Sequence, residues 1–265
     1  MKKSALVLVA SLAANVIPTL AFADDAASPI SYNIGAVTDY RYRGISQTKM
    51  KPAVQGGVDY ANGPIYVGTW LSTISWVKDS MKIYNGANPD ATVSEKGAPV
   101  EWDLYGGTKG DIIKDSLTYD VGVLAYVYLG QKFHDIGLSN PDTGEFYGAL
   151  TYGMFTGKVS ISATPLFGVP KSKGSQYYDL SANFDLGSGF SLVPHVGYQN
   201  VTGSFSKANN VSYADYSVTL GKDFGKGITA SLQVIATDAS KSDYVTSTGK
   251  FTGRTGVVAG VKYSF

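Results

Sequence analysis

The sequence predicts an all-β fold: a single twelve-stranded antiparallel transmembrane β-barrel with short periplasmic turns and longer external loops. Three observations carry this expectation. Apolar and polar residues alternate with period two almost without interruption from Ile30 onward. The alternating segments are mostly ten to fourteen residues long, whereas soluble strands average about five or six and tilted membrane-spanning strands need about nine to eleven. The connections alternate strictly between long and short, which is how bacterial outer-membrane barrels sort their loops.

The chain opens with Met1-Lys2-Lys3, continues through an apolar run from Ala5 to Ile17, and reaches a small-x-small site at Ala21-Phe22-Ala23. This is the pattern of a secretory signal peptide. Residues 1–23 are therefore expected to be cleaved, leaving 24–265 as the outer-membrane barrel.

The strands fall at about 30–42, 51–60, 64–76, 98–109, 116–129, 144–154, 157–167, 175–187, 189–201, 211–224, 227–238 and 254–265. In the first, Tyr32, Ile34, Ala36, Tyr40 and Tyr42 share one face, and Asn33, Gly35, Asp39, Arg41 and Arg43 the other. The fourth opposes Val100, Trp102 and Leu104 to Glu101, Asp103 and Tyr105; the fifth opposes Val121, Val123 and Ala125 to Asp120, Gly122, Tyr126 and Tyr128. Lipid demands apolar side chains outside, while a lumen accepts polar ones. The short connections carry turn residues, as in Ala61-Asn62-Gly63 and Gly225-Lys226-Gly227. Segments 43–50, 77–97, 130–143, 168–174, 202–210 and 239–253 are the long loops. The last strand sets Val257, Ala259, Val261, Tyr263 and Phe265 on one face. Tyr263 and Phe265 are expected to act as the assembly signal read by the barrel assembly machinery.

Composition narrows the function. Without Lys2 and Lys3, the 22 basic residues become 20 against 21 acidic ones, a balance that gives no electrostatic case for nucleic acid. The sequence holds no Cys, which removes thiolate metal and redox sites. The 19 Tyr and 11 Phe suit strands, and Tyr32, Tyr42, Tyr60, Tyr119, Phe184, Phe190, Tyr198 and Phe224 lie near strand ends, where rings meet the lipid interface. The two histidines are His134, in an expected external loop, and His195, on the polar face of the ninth strand. Neither a G-x-S-x-G elbow nor an H-E-x-x-H pair occurs. No catalytic residue, cofactor or metal is expected.

The polar faces supply the candidate lumen: Asp39, Arg41, Arg43, Asp59, Glu101, Asp103, Tyr105, Asp120, Tyr126, Tyr128, Asp179, His195 and Asp215. Arg41 and Arg43 are expected near the external mouth, facing Glu101 and Asp103 across a pore, where opposed charge would select small polar solutes.

Several stretches carry a family likeness. They are Asn33-Ile34-Gly35-Ala36-Val37-Thr38-Asp39-Tyr40-Arg41-Tyr42-Arg43-Gly44-Ile45-Ser46-Gln47-Thr48, Pro52 to Tyr60, Glu101-Trp102-Asp103-Leu104-Tyr105-Gly106-Gly107, His195-Val196-Gly197-Tyr198-Gln199 and Tyr213 to Val218. The set resembles the TorF family of proteobacterial outer-membrane porins over nearly the whole mature chain. It departs at Leu129, where that pattern has proline before the glycine. The resemblance implies a barrel and a porin role, without a substrate. The expectation is thus passive diffusion of small polar solutes through a barrel embedded in outer-membrane lipids. The alternatives are a sealed structural or adhesive barrel working through its loops, and an outer-membrane lipid hydrolase.

Overall fold

The computed structural model describes residues 28–87, 97–131, 133, 140–203 and 211–265. The expected leader at 1–23 and His134 lie outside them. Twelve strands form one closed antiparallel sheet. They are β1 (Ile30–Val37), β2 (Ala53–Asn62), β3 (Ile65–Thr73), β4 (Val100–Ile113), β5 (Leu117–Val127) and β6 (Thr143–Tyr152), followed by β7 (Phe155–Ser162). Then come β8, interrupted at Asn183 (Gln176–Ala182 and Phe184–Gly187), β9 (Phe190–Asn200), β10 (Tyr213–Gly225), β11 (Ile228–Thr237) and β12 (Gly256–Ser264). Each strand pairs with its sequence neighbours, and β1 closes the barrel on β12, with Asn33 opposite Ser264 and Val37 opposite Gly260. Closure leaves no unpaired edge, as a bilayer requires of any sheet.

Exposure alternates along the strands, and the outward positions are apolar. Ile34, Val67, Val123, Phe146, Val234 and Val261 are each exposed. An apolar girdle of this extent would aggregate in water; around a closed barrel it is the surface that faces lipid. Among the described residues no helix is long and apolar enough to cross a membrane. Tyr32, Tyr60, Phe190, Tyr198, Tyr263 and Phe265 stand exposed toward the strand ends, as aromatic girdle residues do.

The seam is stitched below β1. The Phe265 amide donates to the Tyr32 carbonyl at 3.0 Å, and the Tyr32 amide donates to the Phe265 carbonyl at 2.8 Å. The Phe265 ring stacks on Tyr32 at 5.6 Å and on Tyr263 at 5.1 Å. The neighbouring turn Gly225-Lys226-Gly227 runs through positive φ at all three positions (77°, 52° and 78°), a path open to glycine.

Two elements differ from the sequence expectation. The first strand ends at Val37 and not near residue 42. Residues 38–50 leave the wall and fold inward around a tight hairpin, Arg41–Tyr42 against Ile45–Ser46, turning at Arg43 and Gly44 with positive φ. Tyr40 and Tyr42 therefore pack inside, and Tyr42 is not a girdle residue: its ring meets Tyr126 at 5.4 Å and Phe167 at 5.5 Å. The third strand ends at Thr73, and the long connection after it carries a helix, α1 (Trp76–Ala87). Val77 and Met81, one turn apart, are wholly buried in a cluster with Tyr40, Trp70, Tyr128 and Phe133. Asp79 on α1 accepts from Lys49 and from the backbone amide of Ser247 (2.8 Å), tying the helix to two other loops. Among the described residues, α1, the 38–50 segment and a short turn at Leu166–Gly168 pack into the long-loop end and narrow it.

Candidate functional site

The candidate site is the lumen, and it has two parts. Toward the short turns some inward side chains are partly exposed, Asp59 and Lys109 among them, while Asp120 is buried; the polar line then crosses the wall to Asp179, His195 and Asp215, nearer the long loops. Lys109 stands opposite Asp120 and Lys158 opposite Asp179 in the strand register. Asp59 accepts from the Tyr105 hydroxyl at 2.5 Å, and Asp120 from Tyr66 at 2.5 Å. His195 Nε2 lies 2.9 Å from Asp179, its Nδ1 lies 3.6 Å from Asp215, and Tyr177 donates to Asp215 at 2.9 Å. Basic and acidic groups therefore alternate along one wall, β4 to β10, following the hydrogen-bonding direction of the sheet. The inward positions on the facing wall are mostly neutral, among them Thr219, Thr229, Gln233, Asn33 and Gln55.

Several tyrosines lie flat against this wall, each across a glycine of an adjacent strand: Tyr105 on Gly68, Tyr66 on Gly107, Tyr147 on Gly122 and Tyr177 on Gly197. A Cβ on any of these glycines would collide with the ring or its hydroxyl. The residue pair is one packing unit, of the kind in which an aromatic ring covers a strand glycine.

Toward the long loops the lumen narrows into a buried polar network. The Arg43 guanidinium donates to both Glu145 oxygens at 2.9 and 2.7 Å and to Gln199 Oε1 at 2.6 Å. It also lies over the Tyr177 ring at 4.3 Å and the Tyr42 ring at 4.8 Å. Arg41 donates to Asp39 at 2.6 Å and to the carbonyls of Gly44, Thr252 and Arg254 at 3.0–3.1 Å. Asp39 also accepts from Ser46 at 2.5 Å and Thr48 at 3.2 Å. Glu101 accepts from Tyr40 at 2.5 Å and Tyr128 at 2.6 Å. Asp103, 1% exposed, receives no hydrogen bond at either oxygen.

Every candidate residue lies on the inside of the barrel or in its inward segment, but the expected pairing is corrected. The two arginines do not face Glu101 and Asp103. The hairpin carries them off the wall, so Arg41 closes on its neighbour Asp39 and Arg43 crosses to β6 and β9. Glu145 and Gln199, absent from the candidate set, are Arg43's partners; each sits at a period-two polar position that the same alternation would have flagged. Lys109 and Lys158 were detectable in the same way. Tyr126 and Tyr128 are 2% exposed and bonded within the network, and Tyr105 is bonded to Asp59, so all three tyrosines pack as wall. Among the described residues no group of three or more His, Asp or Glu could hold a metal ion.

Residues 23–265 match the model of a family described as "Bacterial protein of unknown function (Gcw_chp)". No curated protein matches the chain. The fold is similar to that of the NanC porin, with 10% identity, 89% of this chain and 98% of that one covered, and a TM-score of 0.51. It also aligns with LpxR from Salmonella typhimurium (13% identity, 89% and 99% covered, TM-score 0.46). A third alignment is to Pseudomonas aeruginosa OprD (11% identity, 91% and 68% covered, TM-score 0.41). At such identities the likeness is one of fold.

Proposed function

The chain belongs to the Gcw_chp family, and from its closed barrel and ionisable interior we propose an outer-membrane channel passing small hydrophilic solutes or ions. It reaches the membrane by way of the cleaved leader, with the long loops outside and the short turns in the periplasm. The TorF resemblance fits the same reading. One observation carries it: the interior is lined with ionisable side chains, and some of them remain partly exposed in the half nearer the short turns, as at Asp59 and Lys109. The buried network makes this a narrow channel, since selectivity and passage follow from pore radius and wall charge.

The constriction also sets a sign. Four carboxylates, Asp39, Glu101, Asp103 and Glu145, meet two guanidiniums, Arg41 and Arg43. Purified protein in planar bilayers is expected to give small discrete conductance steps with cation preference, read from the reversal potential in a salt gradient. Silence from folded, inserted protein would overturn the channel and favour the sealed barrel, a reading that the burial of Arg43 and Glu145 supports. The hydrolase reading needs a serine bonded to a base. Ser181 and Ser217 stand beside His195 in the register, but His195 is engaged by Asp179, and its Nδ1 makes no hydrogen bond.

Assembly supplies a separate prediction, because Phe265 stacks in the seam. Phe265→Asp is expected to lower the amount of heat-modifiable folded barrel in outer-membrane fractions, while Phe265→Tyr retains it. Normal levels in the aspartate variant would remove the role of Tyr263 and Phe265 in recognition by the assembly machinery.

A further inference from the structure

Asp79 joins three segments at the long-loop end, and those segments are lopsided in charge. It accepts from Lys49, from the Ser247 amide at 2.8 Å and from the Ser247 hydroxyl. The stretch before Lys49 is also bound to the last long loop, since the Ser46 amide donates to the Thr252 carbonyl at 3.0 Å. Within that loop the Thr246 amide donates to the Lys250 carbonyl at 2.9 Å, and Arg41 donates to the Arg254 carbonyl at 3.1 Å. Residues 46–51, 74–83 and 246–255 are thus tied together. They hold six basic side chains, Lys49, Lys51, Lys78, Lys82, Lys250 and Arg254, and a single carboxylate, Asp79 itself. Asp79 is buried, whereas Lys51, Lys78, Lys250 and Arg254 are exposed.

The excess is local. Among the described residues the exposed charges at the short-turn end run the other way, with Asp111, Asp115, Asp185 and Asp223 against Lys114 and Lys226. The exposed acids of the long-loop end, Asp238 and Asp243, lie outside the three segments, and Asp238 accepts from the Ala214 amide at 2.6 Å. Two of the cations also stand beside the lipid-facing wall. Lys51 lies three residues before Val54 on β2, and Arg254 three before Val257 on β12. Both valines are outward, 58% and 62% exposed. At about 3.3 Å per residue, each basic residue is within about 10 Å of apolar wall, and its long side chain adds reach. Helix α1 adds Ile83, an exposed apolar residue next to Lys82.

We propose that this surface binds the phosphate-bearing headgroup of an anionic lipid in the leaflet where the long loops emerge. Basic side chains at headgroup level are attracted to anionic lipid over about a Debye length. The lysines supply point charges, and the Arg254 guanidinium a fork suited to phosphate oxygens. Continuity with the wall selects a lipid over a free anion: hydrocarbon chains can lie on Val54 and Val257 while the phosphate meets Lys51 and Arg254. The surface rests on the barrel standing in a membrane and not on its conducting.

The full chain, folded in detergent, is titrated with diphosphorylated lipid A and with the same lipid stripped of its phosphates, and bound lipid is counted by native mass spectrometry. The phosphorylated form is expected to bind about tenfold more tightly. Equal binding of the two overturns the surface, and this comparison needs no variant to fold. Lys51→Gln with Lys250→Gln is expected to weaken binding of diphosphorylated lipid A by about tenfold. Lys114→Gln with Lys226→Gln, which removes the same charge from the opposite end, is expected to leave it unchanged. Equal weakening by the two double variants would reduce the effect to net charge and overturn the surface. Displacement of the lipid by inorganic phosphate at the lipid's own concentration would mark a free-anion site and overturn the lipid assignment. A barrel that is silent in planar bilayers but passes these tests keeps the surface and loses the channel. A conducting barrel that fails them keeps the channel and loses the surface.

Discussion

Replacing Arg43 with methionine lowers the unfolding free energy of the barrel by about 3–5 kcal/mol, the cost of leaving one member of a buried ion pair uncompensated. The magnitude follows from burial. Arg43 is 9% exposed and Glu145 4%, and Arg43 holds both Glu145 oxygens and Gln199 while its plane covers two tyrosine rings. Methionine keeps much of the volume but none of the donors, so the Glu145 carboxylate is stranded. Changing Glu145 to leucine in the same protein is expected to recover most of the loss, since a well-packed apolar replacement of a buried pair is often neutral or better. Equilibrium unfolding in detergent micelles measures both. A loss below about 1 kcal/mol, the range of a solvated surface pair, would show that water reaches this network and that the mouth stands open.

Gly227→Val is expected to have an effect of similar size for a different reason. Gly227 has a φ of 78°, a region in which a β-branched residue is an outlier. The position also faces the seam, where the Ser264 amide donates to the Gly227 carbonyl at 2.9 Å. A side chain there would drive into the Ser264 carbonyl oxygen, which is backbone and cannot rotate away. Backbone strain of about 1–3 kcal/mol and overpacking of about 1–3 kcal/mol act together on the β11–β12 pair, next to the strand that closes the barrel on β1. Lys226→Asn in the same turn (φ 52°) is the control, expected to stay within about 0.5 kcal/mol of the parent because asparagine tolerates this conformation. Gly227→Val unfolding alongside that control would show that the seam does not depend on this turn.

The strands were legible because two solvents impose one rule. Lipid outside and polar lumen inside force period two on every spanning segment, so Val121 and Asp120 declare their faces without any knowledge of the fold. The inward segment was not legible, because Tyr40 and Tyr42 continue the alternation of β1 after the chain has left the wall. Inside the lumen both faces of that segment meet protein, and alternation no longer reports lipid. Helix α1 was hidden for a related reason: it buries Val77 and Met81 within a loop where length had suggested only irregular chain. The lumen residues were recognisable one by one, but their pairings were not. Which strand Arg43 reaches depends on the stagger of the closed sheet, and sequence spacing says nothing about that. Asp103 was legible as polar and inward; that it lacks a donor, unlike the other inward carboxylates described, follows only from where the surrounding hydroxyls point.

The tyrosines lying across Gly68, Gly107, Gly122 and Gly197 bear on how such a lumen can change its calibre. Each couple concentrates its bulk in one ring laid along the wall, so the free cross-section is set by ring thickness and not by side-chain length. Exchanging one couple for two middle-sized residues conserves volume yet lets both project toward the axis. Drift at these sites would therefore tighten or widen the passage in discrete steps, while the strand count and the closed sheet stay unaltered.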